Sequence, residues 1–365
     1  MSWCDVHLGD VIRLKRGHDL PAGDRVPGEI PIVSSSGITG FHSVAKVAGP
    51  GVVTGRYGTL GEVHYVKGDY WPLNTALYVE DFKGNQPRYV AYLLMTLELG
   101  SQNAAGAVPG VNRNTLHQMT VRVPDKETQH RIVEVLSAYD DLIATNQRRI
   151  ALLEDGARRL YREWFVHLRF PGHESVPVKD GVPEGWERGS LDRALFLQRG
   201  FDLPNGSRIA GDVPVYASTG INGFHNDAKA VGPGVVTGRS GTLGQVHYVA
   251  KDFWPLNTSL WVKEFRRVSP IVAYFLLSEL NLEQFNSGAS VPTLDRKTVH
   301  QASVLLPSPG LVEKFDTLVQ PLFDQIDALK AGIDSTSKAR NLLLPKLMSG
   351  QLDVSGIRLP EEVAA

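Results

Sequence analysis

The alternation of apolar and polar positions divides the chain into stretches of two kinds, each kind met twice. Residues 1–124 carry short apolar runs set off by Gly, Pro and Asn. Gly51-Val52-Val53-Thr54 and Glu62-Val63-His64-Tyr65-Val66 predict strands, the stretch Arg56 to Gly61 predicts their connection, and Leu77-Tyr78-Val79 predicts another short strand. Val90, Leu93, Leu94 and Leu97 fall at helical spacing and predict a helix over 88–99. After Pro124 the rhythm changes, and Gly and Pro become scarce until Pro171. Ile132, Leu136, Tyr139, Ile143, Asn146, Ile150, Leu153, Ala157, Leu160 and Trp164 advance by alternate steps of four and three, which is the seam of a coiled coil. A helix of about 40 residues is about 60 Å long, farther than one small domain covers.

The whole pattern then recurs at a shift of 183 residues, which carries Trp3 onto Trp186 and Leu8 onto Leu191. The stretch from Gly49 to Val79 reappears from Gly232 to Val262, Phe41-His42 as Phe224-His225, Val108-Pro109 as Val291-Pro292, and His117-Gln118 as His300-Gln301. The second seam reads Phe315, Val319, Leu322, Ile326, Leu329, Ile333, Thr336, Arg340, Leu343 and Leu347, poorer at Thr336 and Arg340 but in the same register. The expected division is a β-rich domain at 1–124, a long helix at 125–170, a second β-rich domain at 171–307, a second long helix at 308–350 and a tail at 351–365. The expected class is α+β. Two matching apolar stripes bury each other, and because both helices leave their domains in the same sense, a pseudo-two-fold arrangement needs them antiparallel. The alternative has each helix packed on its own domain.

Composition narrows the function classes. A hydrophobic fraction of 42% and a charged fraction of 21% are those of an ordinary globular protein. The single cysteine, Cys4, excludes a disulfide framework and a Cys-based zinc cluster, and it fits a reducing, cytoplasmic setting. No basic stretch followed by an apolar core opens the sequence, and no apolar run reaches the roughly 18 residues of a membrane span. With 38 Lys and Arg against 39 Asp and Glu, the net charge is -1. Composition therefore gives no support to nucleic-acid binding, which usually shows a basic surplus.

Motifs supply what composition does not. In order, the chain reads Arg16-Gly17 and Asp19-Leu20-Pro21, then "GR-GTLG-VHYV", "D-WPLNT-L-V" and "VP…R" near Val108 and Arg113, with "VPEGWE" at 182–187 and helix ends "ARRLYREWF" and "ARNLLLPKLMSGQL". In this order and number they resemble the specificity subunit of type I restriction–modification systems, over residues 1–355. The resemblance implies two target recognition domains, each reading one half of a split double-stranded DNA sequence, on paired helices that set the spacer. It also implies docking of two DNA methyltransferase (modification) subunits, with restriction and translocase subunits joining for cleavage. S-adenosylmethionine, ATP and Mg are then expected in those partners and no cofactor in this chain. The specificity subunit of a fused restriction–methylation enzyme is the neighbouring alternative, and a duplicated scaffold that binds something other than DNA is the alternative from another class.

The sequence has no G-x-x-x-x-G-K-[ST] loop, no Asn/Asp-Pro-Pro-aromatic tetrapeptide and no metal-ligand spacing. No catalytic residues are expected, and His64 and His247 read as packed or surface side chains rather than bases. The candidate DNA readers are polar loop residues. Arg56 and Arg239 stand on Gly-flanked turns with Thr59 and Thr242 beside them, and arginine reads guanine or clamps phosphate. The competing view makes that turn a fold-defining one, with its arginine on a neighbouring carboxylate. Arg16 and Arg199, Ser35 and Ser36, Ser218 and Thr219, Asn74 and Asn257, and Arg113 and Arg296 complete the set, the hydroxyl and asparagine members set against a capped or structural turn and Arg113 and Arg296 as phosphate or base contacts. Tyr57 and Ser240, with His18/Phe201 and Glu62/Gln245, differ between the copies and are candidates for a difference in what each reads.

Overall fold

The fold is described from a computed structural model, over residues 2–97, 99, 110–288 and 290–354. Val108 and Pro109 lie outside them. The first half contains β1 (Trp3–His7), α1 (Leu8–Val11), β2 (Arg13–Arg16), β3 (Ile30–Ser34), β4 (Gly37–His42), β5 (Gly51–Gly55), β6 (Val63–Val66), β7 (Trp71–Pro72), β8 (Ala76–Asp81), α2 (Pro87–Thr96), α3 (Arg113–His117), β9 (Thr120–Pro124) and α4 (Lys126–Tyr161). The second half begins with a short hairpin, β10 (Val178–Lys179) and β11 (Val182–Pro183). It continues with β12 (Glu187–Ser190), α5 (Leu191–Ala194), β13 (Leu195–Arg199), β14 (Val213–Ala217), β15 (Gly220–His225), β16 (Gly234–Gly238), β17 (Val246–Val249), β18 (Trp254–Pro255), β19 (Ser259–Phe265), α6 (Pro270–Glu279), α7 (Arg296–His300), β20 (Ser303–Leu306) and α8 (Pro309–Met348). The class is α+β, as the sequence predicts.

The two β-rich heads have one topology. The first pairs β2-β8-β5-β6, β4-β3-β7 and β1-β9; the second pairs β13-β19-β16-β17, β15-β14-β18 and β12-β20. In the four-stranded sheets the all-buried Gly-Val-Val-Thr-Gly strands, β5 and β16, sit inside, while Arg-Leu-Lys-Arg, β2, takes an edge of the first. The strand predicted at 77–79 extends to 76–81, and the helix predicted over 88–99 begins at Pro87 and stops at Thr96, where Leu97 turns to extended backbone. Proline at the first helical position suits both α2 and α6, since it has no N–H to leave unpaired there.

The chain divides into two compact units, Met1–Thr145 with Gly332–Ala365, and Asn146–Ala331. Each is built on one head together with parts of both long helices. In the first, Ile132, Val133, Val135 and Leu136 of α4 share a core with Leu347 and Met348 of α8 and with Tyr89 to Leu94. Asp140 pairs with Arg340 at 2.8 Å, so the two segments run antiparallel. In the second, Ala157, Tyr161, Trp164 and Phe165 share a core with Phe315, Val319 and Phe323. Glu154 and Lys330 are 3.9 Å apart, and the sense is again antiparallel. All the seam residues are buried or half-buried, Ile132, Leu136, Phe315, Val319 and Ile326 wholly so, with Asn146 also buried. Tyr139, Ile143, Ile150, Leu153, Leu160, Leu322, Leu329, Ile333 and Leu343 are half-buried.

Candidate nucleic-acid interface

The turn after β5 is set by glycine. A Cβ at Gly55 would lie 1.8 Å from the Thr59 carbonyl oxygen, and one at Gly238 1.9 Å from that of Thr242; only a residue without a side chain lets the chain fold back so closely. The hydroxyls of Thr54 and Thr237 tie the far side by donating to the carbonyls of Glu62 and Gln245, 2.8 Å in each case. Arg56 and Tyr57 donate their backbone N–H groups to Thr75 O, as Arg239 and Ser240 do to Thr258 O. The arginine turn is thus stitched to the Leu-Asn-Thr loop behind it. Thr59 and Thr242 are half-buried in the turn.

That stitching assembles a polar cluster in each head. Arg56 Nη1 donates to Asn74 O at 3.4 Å, and Arg239 Nη1 to Asn257 O at 3.3 Å. The Asn74 amide donates to Asp19 Oδ1, and the Asn257 amide to Asp202 Oδ1. In the first head Asp19 also pairs with Arg16 at 3.3 Å, with side chains 68% and 50% exposed; Arg199 is exposed at the end of β13. Where the copies differ, the arginine is held differently. The Arg56 guanidinium lies 4.3 Å from the Tyr57 ring centroid and donates to its hydroxyl at 3.2 Å, whereas Arg239 donates to Ser240 Oγ at 3.4 Å.

The hydroxyl turns lie next to this cluster but present less than their sequence suggests. Ser35 and Ser218 are buried, lining the space beside Gly58 and Gly241, where a Cβ would meet their Oγ atoms at 3.7 and 3.8 Å. Ser36 and Thr219 are the exposed members, and Ser36 N donates back to Ser34 Oγ at 3.2 Å. His64 and His247 pack beside Gly37 and Gly220; burial holds the His247 imidazole below its usual pKa, with the Lys330 charge acting in the same direction. His18 stacks near Trp71 and Tyr78, and Phe201 near Trp254 and Trp261, so this difference is one of packing.

Arg113 and Arg296 stand apart from the cluster. Each opens a short helix, capped by Asn112 or Asp295, two residues after a backbone N–H that donates to Arg56 O or Arg239 O. Their side chains serve the opposite end of β2 and β13. Glu80 is hydrogen-bonded to Lys15 at 2.6 Å and paired with Arg13 at 2.9 Å; these groups, with Arg113, hold its carboxyl below the usual range. Arg296 lies over the Phe196 ring at 5.4 Å. The sequence reading missed Asp19 and Asp202 as members of the site. The available signal was their survival, three residues after Arg16 and Arg199, in both copies. Among the described residues no three His, Cys, Asp or Glu side chains are grouped to hold a metal ion, and no helix is long and apolar enough to cross a membrane.

Residues 2–155 match the family model described as the type I restriction modification DNA specificity domain. Over 302 residues, 73% of this chain, the sequence is 25% identical to the type I restriction enzyme MjaIX specificity subunit of Methanocaldococcus jannaschii, of which it covers 69%. The sequence is thus similar to the specificity subunits of type I restriction enzymes, and over residues 2–155 to their DNA specificity domain. A second such subunit, that of the HindI enzyme of Haemophilus influenzae, is 28% identical over 102 residues, 26% of this chain and 22% of that one. The fold matches the crystal structure of a type I S subunit from M. genitalium with a TM-score of 0.63 at 17% identity, covering 95% of this chain and 96% of the other. The Arg–Asn–Asp cluster is the polar feature of the site that both heads share.

Proposed function

We propose that this chain is a type I specificity subunit that reads a bipartite double-stranded DNA target with two closely related half-sites, one per head, and docks two methyltransferase subunits, with restriction subunits joining them. The observation that carries this reading is the same Arg–Asn–Asp cluster built twice, on the same turn of two heads with one topology. Readers this similar favour related half-sites, and if the two heads meet the DNA in inverted orientation the whole target is close to an interrupted palindrome. The chain itself performs no chemistry in this reading: S-adenosylmethionine, ATP and Mg act in the partner subunits.

The balanced charge supports a division of labour. Non-specific affinity scales with the number of phosphates neutralised, and a net charge of -1 offers little of it. Much of the phosphate attraction is then left to the methyltransferases. Mapping methylated sites in a host that carries this chain and its methyltransferase tests the function, and two unrelated half-sites would contradict it. The isolated chain is expected to shift target DNA only weakly in a gel; tight, sequence-specific binding without a partner counts against the division of labour.

A further inference from the structure

We propose that Asp19 and Asp202 are specificity-determining residues, each accepting a hydrogen bond from the exocyclic amino group of a cytosine whose guanine partner is read by Arg56 or Arg239. The proposal rests on the DNA reading above and names the base pair common to both half-sites.

An exposed carboxylate is an unusual component for a surface that meets phosphates, which it repels. It is useful where it faces a base amino group, because Asp and Glu accept from cytosine N4 while arginine donates to guanine O6 and N7. One G·C pair presents both partners side by side in the major groove. The same carboxylate rejects any base that offers an acceptor at that place, so it adds discrimination as well as attraction.

The geometry joins the two readers through one residue. The backbone carbonyl of Asn74 holds the Arg56 guanidinium, and its side-chain amide holds Asp19 Oδ1. Asn257 does the same for Arg239 and Asp202. Asp19 Oδ2 has no partner among the described residues and is left to accept from a ligand. Asn74 and Asn257 become positioning residues, with the amide drawn to the carboxylate rather than presented to adenine. Arg16 adds a second hold on Asp19 in the first head.

The test uses the full chain with its methyltransferase, and each head serves as the other's control. Asp19→Asn keeps a carbonyl for the Asn74 amide and removes the charge. It is expected to lower the preference for G·C about tenfold at one position of one half-site, leaving the other half-site unchanged, with Asp202→Asn giving the reverse. An unchanged motif overturns the proposal and leaves the Asp–Asn pair as a staple between loops. So does a uniform loss across both half-sites. A second measurement avoids folding effects: target DNA carries, at each cytosine in turn, an analogue without the 4-amino group. Wild-type binding should fall about tenfold at one cytosine per half-site, and Asp19→Asn should be indifferent to that change in its own half-site. No loss with any analogue overturns the proposal. If the wild-type complex methylates no bipartite motif at all, the DNA reading fails first and the proposal with it.

Discussion

Tyr57 and Ser240 place a difference at the point where the two heads are otherwise most alike. The stacked and hydrogen-bonded Arg56 has fewer orientations than Arg239, which among the described residues is held by a side-chain hydroxyl. Tyr57→Ser is expected to make the first half-site as tolerant as the second, read from the methylated motif. Arg56→Lys should cost about 1–3 kcal/mol of base discrimination in that half-site alone, because a point charge does not replace a bidentate fork; competition binding with single-base variants measures it. A different pair of residues governs acid response. His117 and His300 accept the Leu14 and Leu197 N–H groups through Nε2, at 2.9 and 3.0 Å, and so must be neutral there. Burial first, then Arg113 or Arg296, holds both imidazoles below the usual value of 6.5. The unfolded chain then binds more protons as pH falls through that value, and stability contributed by these groups is present above it and lost below it. The melting temperature should drop between about pH 7 and 5, less steeply in a His117→Gln, His300→Gln variant. Sequence marked Arg56, Arg239 and the asparagines because they recur on glycine turns. The recurrence of Asp19 and Asp202 in both copies was there to be read, but not their role, since the asparagines they accept from lie 55 residues away.

At the level of elements, the copies diverge in how each head grips its helices. In the first unit Asp140 is a hub: Tyr92 donates to it at 2.5 Å, Arg340 at 2.8 Å, and Arg88 lies 3.7 Å away. At the corresponding place of the second unit Phe323 packs with Tyr248, Tyr274 and Phe275. Arg340, which reads as a flaw in the second heptad seam, is the partner that the seam of the first unit needs. Asp140→Ala removes the acceptor of the Tyr92 hydroxyl and the cross-helix partner of Arg340, while Arg88 keeps Asp141 and Arg340 keeps Asn341, and is expected to destabilise the first unit by about 1–3 kcal/mol, seen in denaturant unfolding. Phe323→Ala in the second should cost about 3–4 kcal/mol through lost packing and respond far less to salt. The helices themselves were plain in the heptads, and the strands at 51–55 and 63–66 in their alternation. The β10–β11 hairpin was not, because two-residue strands carry no period to read.

The shift of 183 residues acts on the whole molecule. If the helices space the two half-sites, adding four residues to each, near Asn146 and Leu329, lengthens both by about 6 Å. That is close to two base-pair steps, so the methylated motif should gain about two spacer base pairs while its half-sites stay the same. The repeat made this architecture legible from sequence, whereas the boundary of the compact units was not, since it falls inside unbroken helices at Thr145/Asn146 and Ala331/Gly332. That boundary gives the first unit two segments far apart in the chain, and within it Gly350 stands against the Trp3 ring, where a Cβ would come within 2.9 Å. The order of segments along the polypeptide is therefore separable from their order in space. A chain opened at the Gly181 turn, with Asp353 joined to Ser2 through a short flexible linker, should fold to the same two units with the melting behaviour of the original and recognise the same target. The gene for such a protein can start with either head.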